Sequence, residues 1–138
     1  MDFGRLSAAA LVGWLAHLAL SALVWGSLLP DLFRQNAFLL RAPAEMNLVA
    51  GYGASLVGFF VFAYAYAKGY EGGTGVLEGL RYGVLIGLLL AAFTGVWAYV
   101  LVPIPATFGL AIVVDIIVEM AAYGAIVGVI CKPVARRR

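Results

Sequence analysis

The last apolar run of the chain, residues 105–131, reads PATFGLAIVVDIIVEMAAYGAIVGVIC and carries two carboxylates near its middle, Asp115 and Glu119. A helix of about 20 apolar residues crosses the hydrocarbon layer of a bilayer, so this run is long enough to span one. A charged side chain at the centre of such a helix costs roughly 2.5–3.5 kcal/mol on insertion. Because the two acids are four residues apart, they share one helix face. We expect that face to contact protein, water, an ion or a partner rather than lipid.

The composition of the whole chain is that of an integral membrane protein. Of its 138 residues, 64% are hydrophobic and 12% are charged, and the mean hydropathy is +1.02. A soluble domain carries about 25% charged residues, so the composition excludes one. The single cysteine, Cys131, excludes an internal disulfide and a multi-cysteine metal site. We expect a buried, unreactive thiol there, with palmitoylation as the alternative.

Three further apolar runs precede the last one. Together the four runs predict an all-α, antiparallel four-helix bundle in the membrane, with residues 1–138 forming a single transmembrane domain. The expected helices cover residues 6–28, 46–67, 76–101 and 105–131. The link Pro30–Glu45 mixes apolar side chains with Arg34 and Arg41. That mixture suits a short helix lying in the membrane interface, and a partly ordered loop is the alternative.

The basic residues predict the orientation of the bundle. Four crossings place both termini on one side of the membrane, and this side also receives the link between the second and third helices. It carries Arg5, Lys68, Arg81, Lys132, Arg136, Arg137 and Arg138, against Arg34 and Arg41 on the other side. Basic residues concentrate on the cytoplasmic side, so we expect both termini in the cytoplasm.

The basic tail, Arg136, Arg137 and Arg138, is expected to contact lipid headgroups. Each basic residue near an anionic membrane surface contributes about 1 kcal/mol to the attraction. No aromatic or groove-reading element accompanies the tail, so we predict no nucleic-acid partner.

Glycines recur at intervals of four in the third and fourth runs. They are Gly79, Gly83 and Gly87 in the third run, and Gly124 and Gly128 in the fourth. Small residues at this spacing let helix backbones approach closely in lipid. We therefore predict that the third helix packs against the fourth or against its own copy in an oligomer.

His17 lies near the centre of the first run, at the membrane depth expected for Asp115 and Glu119. Ser21 is one turn further along the same face. If the first and fourth helices are neighbours, the imidazole can reach a carboxylate. The alternative is a histidine hydrogen-bonded to a backbone carbonyl or to a serine.

The trio His17, Asp115 and Glu119 admits three uses. Two acids one turn apart cannot both ionise cheaply, so they can share a proton or hold a cation, which suits proton- or cation-linked transport. One nitrogen and two carboxylates also form a metal-ligand set, although the second histidine usual in such sites is missing. Finally, the acids can serve as polar contacts between helices in an accessory or assembly subunit of a larger membrane complex. The sequence identifies no cofactor.

Three stretches resemble small bacterial four-helix membrane proteins of an uncharacterised family. They are residues 18–33, LALSALVWGSLLPDLF, residues 79–90, GLRYGVLIGLLL, and residues 123–130, YGAIVGVI. The resemblance implies a multi-pass protein of the bacterial inner (cytoplasmic) membrane. It implies no activity and transfers no functional residues.

Overall fold

The computed structural model describes residues 2–70 and 74–131, and every regular element in these two ranges is helical. Four of its helices are long and apolar enough to cross a membrane. We call them the first to fourth spans: Phe3–Leu28, Leu48–Gly69, Gly75–Leu101 and Ala106–Ile130. They confirm the prediction of an all-α chain with four membrane-length helices. Arg136, Arg137 and Arg138 lie outside the described residues.

Two of the spans contain a π-helical turn. In the first span, α1 (Phe3–Leu23) continues as a π turn over Val24–Leu28. In the third span, α4 (Gly75–Leu90) is joined to α5 (Trp97–Leu101) by a π turn over Ala91–Val96. Within that turn, the Thr94 hydroxyl donates to the Leu90 carbonyl at 2.6 Å. A π turn widens the helix locally and is frequent at functional sites.

Side-chain caps decide where the first two spans begin. The Asp2 carboxylate accepts hydrogen bonds from the backbone N–H groups of Gly4 and Arg5, at 3.0 and 3.3 Å. The helix therefore begins at Phe3, earlier than the hydrophobic run predicts. In the second span, the Asn47 side chain accepts from the Ala50 N–H at 3.0 Å, and α3 (Leu48–Gly69) starts directly after it.

The link between the first two spans contains the expected short helix. It is α2 (Pro30–Gln35), and 3₁₀ turns over Ala37–Leu39 and Pro43–Glu45 follow it. Pro30 occupies the first helical position, where its missing N–H costs nothing. Arg34 pairs with Asp31 at 2.9 Å on the exposed face of this helix.

The glycines of the third span lie against the backbone of the fourth span, α6 (Ala106–Ile130). A Cβ built on Gly83 would overlap the Met120 carbonyl oxygen and lie 2.9 Å from the Ala121 Cα. A Cβ on Gly79 would overlap the Gly124 carbonyl in the same way. Only glycine allows these two backbones to approach so closely.

A cluster of aromatic and small side chains forms the core that joins the first, second and fourth spans. Its buried members are Leu6, Ala9, Ala10, Phe59, Phe62, Ala63, Tyr66, Tyr123 and Val127. Gly13 belongs to the same contact, because a Cβ there would overlap the Tyr123 ring. The second span packs mainly against the first span. Large apolar side chains cover the outside of the bundle, as expected of a surface that faces lipid.

Cys131 follows the fourth span directly and packs against this core. Its thiol lies 4.0 Å from the backbone carbonyl of Arg5, which brings the two ends of the described chain together. Burial raises the pKa of the Cys131 thiol, and this outweighs the opposing effect of the Arg5 charge. A raised pKa leaves less of the reactive thiolate near neutral pH.

Candidate functional site

The first and fourth spans present their polar side chains to each other. His17, Ser21 and Trp25 follow at intervals of four along the first span, so they lie on nearly the same face. Asp115 and Glu119 have the same spacing on the fourth span. The two spans are in direct contact. The site is therefore a ladder of hydrogen bonds between these two helices. The sequence alone did not decide whether the two helices are in contact.

Glu119 is held by two side chains of the first span. His17 Nδ1 lies 2.7 Å from Glu119 Oε2, and the Ser21 hydroxyl donates to Oε1 at 2.7 Å. The Glu119 side chain is 8% exposed and the His17 side chain 28% exposed. Both oxygens of the carboxylate thus have a hydrogen-bond partner, while part of the imidazole remains accessible.

The hydrogen bond to Glu119 fixes the roles of the two imidazole nitrogens. When Glu119 is ionised it can only accept, so Nδ1 carries the proton and donates. Nε2 has no hydrogen-bond partner within residues 2–70 and 74–131. It can therefore gain or lose a proton while the bond between Nδ1 and Glu119 stays in place.

Asp115 is placed differently from Glu119. Trp25 Nε1 donates to Asp115 Oδ2 at 2.7 Å, from within the π turn of the first span. The other oxygen, Oδ1, is buried and has no hydrogen-bond partner among the described residues. Removing a polar atom from water without a partner is costly, so a proton or a water molecule at Oδ1 would lower the cost of burying Asp115.

Trp25 is the site residue that the sequence did not suggest. The predicted trio of His17, Asp115 and Glu119 does lie between one pair of helices, with Ser21 beside it. The signal that points to Trp25 is its spacing, four residues after Ser21 and eight after His17. The predicted packing residues Gly79, Gly83 and Gly124 lie between the third and fourth spans, outside this ladder.

The trio does not form a metal centre among the described residues. No group of three His, Cys, Asp or Glu side chains there is arranged to hold a metal ion. Asp115 bonds to Trp25, whereas Glu119 bonds to His17 and Ser21. The two acids therefore form hydrogen bonds with different side chains and share no partner.

Two cavities, both open to the outside of the bundle, have His17 in their linings. The link-side cavity, about 470 Å³, lies between the first two spans and is also lined by Arg41, Asn47 and Ser55. The central cavity, about 450 Å³, lies between the second, third and fourth spans and extends to Tyr82. His17 and Ser55 line both. A smaller cavity of about 190 Å³ shares Tyr82 with the central one and reaches Glu78 and Arg81. The three open cavities therefore lie one after another along the second span, and His17 lines the first two.

No protein-family model, curated protein or solved structure matches the chain. The resemblance to an uncharacterised bacterial family stays a prediction, and the functional argument rests on the geometry of the site.

Proposed function

We propose that this chain is a proton-linked membrane transport protein in which His17 receives and releases the proton. The observation that supports the proposal most directly is the position of His17, which lines two cavities and is hydrogen-bonded to the buried Glu119. Ionisable groups inside a membrane are costly and commonly mark proton pathways.

The bond to Glu119 gives His17 the properties of a relay. Glu119 stabilises the imidazolium, so a proton arriving from one cavity is held at Nε2 rather than passed at once to water. Because His17 also lines the other cavity, the proposed cycle releases the proton from Nε2 on that side. Asp115, one turn away on the fourth span, places a second carboxyl group near the relay.

Orientation and assembly belong to the same proposal. We place the spans antiparallel in a bacterial inner membrane, with both termini cytoplasmic, because of the distribution of basic residues. The link-side cavity, lined by Arg41, then opens toward the outside and the smaller cavity near Arg81 toward the cytoplasm. We also propose that the chain forms a homo-oligomer. A single four-helix chain encloses little volume, so a pathway for anything larger than an ion would need several copies.

Proton flux into proteoliposomes tests the proposal. We expect purified wild-type protein to dissipate an imposed pH gradient faster than empty liposomes, as read by a trapped pH-sensitive dye. Glu119→Gln removes the charge that stabilises the imidazolium, so its rate should fall to that of empty liposomes. His17→Gln should have the same effect because it removes the relay itself.

Glu45→Gln is the matched control, because Glu45 is exposed in the link and lies far along the chain from the ladder. This variant should keep the wild-type flux. Wild-type protein that is folded and inserted but no more permeable to protons than empty liposomes would overturn the proposal, as would full flux through Glu119→Gln.

The second candidate is an accessory or assembly subunit, favoured by one specific observation. Both acids are already bonded to side chains of the first span, so they can act as contacts that hold the two helices together. This role predicts that Glu119→Gln weakens co-purification with a partner subunit and that the isolated wild-type protein shows no flux.

A further inference from the structure

The central cavity is a groove between the second and third spans that opens toward the lipid. The second span packs mainly against the first span and the third span mainly against the fourth, so the second and third spans stand apart. Met120 and Tyr123 of the fourth span line the groove between them. Val61 and Leu90 also line it, and these two large apolar side chains are 61% and 38% exposed. The open side of the groove therefore faces the hydrocarbon chains of the bilayer.

The groove follows the third span for the depth of one lipid leaflet. On that span its lining residues are Tyr82, Ile86 and Leu90, at intervals of four. The smaller cavity shares Tyr82 and continues the groove to Arg81. From Arg81 to Leu90 a helix rises about 14 Å, which is close to half of the roughly 30 Å hydrocarbon core. Leu90 lies near the middle of the span Gly75–Leu101, so the groove runs from the membrane surface toward the midplane, as an acyl chain does.

The end of the groove near the membrane surface is basic. Arg81 is exposed there and has no ion-pair or hydrogen-bond partner in the part of the chain that the structure describes. It lies two turns from the start of the third span, and a long arginine side chain can extend from this depth to the headgroups. Lys68 lies at the same end, in the last turn of the second span. Glu78 lines the smaller cavity as well, and the two basic side chains still leave one excess positive charge. Basic sites between membrane helices are typical binding sites for phospholipid headgroups.

We propose that this groove binds a phospholipid, with one acyl chain along the groove and the phosphate at Arg81. The length of the groove, its opening to the bilayer and the unpaired guanidinium at its end match the two parts of such a lipid. An apolar groove offers an acyl chain little that neighbouring lipids do not also offer. The selection therefore comes from the phosphate, which a guanidinium binds through charge-assisted and commonly paired hydrogen bonds.

The lipid site goes beyond the proposed function and does not depend on it. Where the chain does transport protons, the lipid bears on the relay, because His17 lines this groove as well as the link-side cavity. An acyl chain beside the imidazole excludes the water that would carry a proton away. A bound lipid and the release of a proton into the central cavity then exclude each other.

Native mass spectrometry of the protein in detergent micelles tests this inference without requiring transport. The purified wild-type protein is titrated with dioleoylphosphatidylglycerol or with dioleoylglycerol, which have the same acyl chains and differ in the phosphate headgroup. We expect saturable binding of the phospholipid and no saturable binding of dioleoylglycerol, because only the phospholipid can pair with Arg81.

Variants test the two ends of the lipid separately. Arg81→Gln should weaken binding of the phospholipid by roughly 5-fold, whereas Arg34→Gln, which changes an exposed arginine in the link, should bind as wild type. Ala65→Phe places a ring in the groove and should weaken binding by roughly 5- to 100-fold. Ala54→Phe is its matched control, since Ala54 is exposed on the same span and is not among the described residues that line the groove.

Equal binding of the two lipids to wild-type protein would overturn the inference. Phospholipid affinity that is unchanged in Arg81→Gln or in Ala65→Phe would overturn it as well. Each of these results can coexist with normal proton flux, which would leave the proposed function standing. Conversely, selective phospholipid binding by a protein without proton flux would overturn the proposed transport alone.

Discussion

Gly83→Ala should destabilise the bundle, although alanine is the better helix former. Alanine in place of glycine inside a helix gains roughly 0.5–1 kcal/mol. The added Cβ would overlap the Met120 carbonyl oxygen and lie 2.9 Å from the Ala121 Cα, and neither backbone atom can rotate away. Overpacking of this kind typically costs about 1–3 kcal/mol. The cost exceeds the gain, so we expect a lower free energy of unfolding in detergent-driven unfolding followed by circular dichroism.

Gly53→Ala is the control for this experiment. Gly53 lies in the second span, and a Cβ there would have no heavy atom within 4 Å. This variant should be as stable as wild type or slightly more stable. If Gly83→Ala and Gly53→Ala unfold alike, the third and fourth spans do not pack through their glycines. Gly83→Leu should be more damaging still, because its side chain cannot fit between the helices.

The second large effect concerns the pair formed by His17 and Glu119. Glu119→Leu leaves His17 Nδ1 and the Ser21 hydroxyl without their acceptor, so we expect a loss of both stability and proton flux. The double variant His17→Leu with Glu119→Leu removes both charged partners. Replacing a buried ionic pair by apolar groups is often neutral or stabilising, so the double variant should regain stability and remain without flux.

Wild type, the two single variants Glu119→Leu and His17→Leu, and the double variant form a double-mutant cycle for unfolding. Polar contacts between membrane helices average about 0.6 kcal/mol and reach about 1.7 kcal/mol. We expect the pair near the upper value, because its heavy atoms are 2.7 Å apart and the Glu119 side chain is 8% exposed. Proton flux through the stable double variant would show that the pair is not the relay.

The apolar runs predicted the four spans because length and hydrophobicity are local properties of a sequence. The first two spans begin at other residues than predicted, and these differences also have local causes. Asp2 and Asn47 supply caps that the hydrophobic pattern does not register. The π turns over Val24–Leu28 and Ala91–Val96 leave no mark in the hydrophobic pattern, so that pattern could not predict them.

The candidate site was predictable only in part. The cost of burying Asp115 and Glu119 marked their helix face, and the membrane depth of His17 made it a plausible partner. The contact between the first and fourth spans is a feature of the tertiary structure. It depends in part on Gly13, which lies against the Tyr123 ring. Trp25 became a partner of Asp115 through the same packing. The cavities arise from the way the second span lies against the rest of the bundle, which no local pattern encodes.

The infrared spectrum of the carboxyl groups tests the central claim most directly, namely that the pair of His17 and Glu119 exchanges a proton. The measurement compares wild type and Glu119→Gln in lipid from acidic to alkaline buffer, with Glu45→Gln as the control. We predict a carboxyl or carboxylate band that changes with pH in wild type and in Glu45→Gln and is missing from Glu119→Gln. Identical pH-dependent changes in wild type and Glu119→Gln would mean that no titrating band belongs to Glu119; this result would contradict the account and favour a purely structural role for these acids.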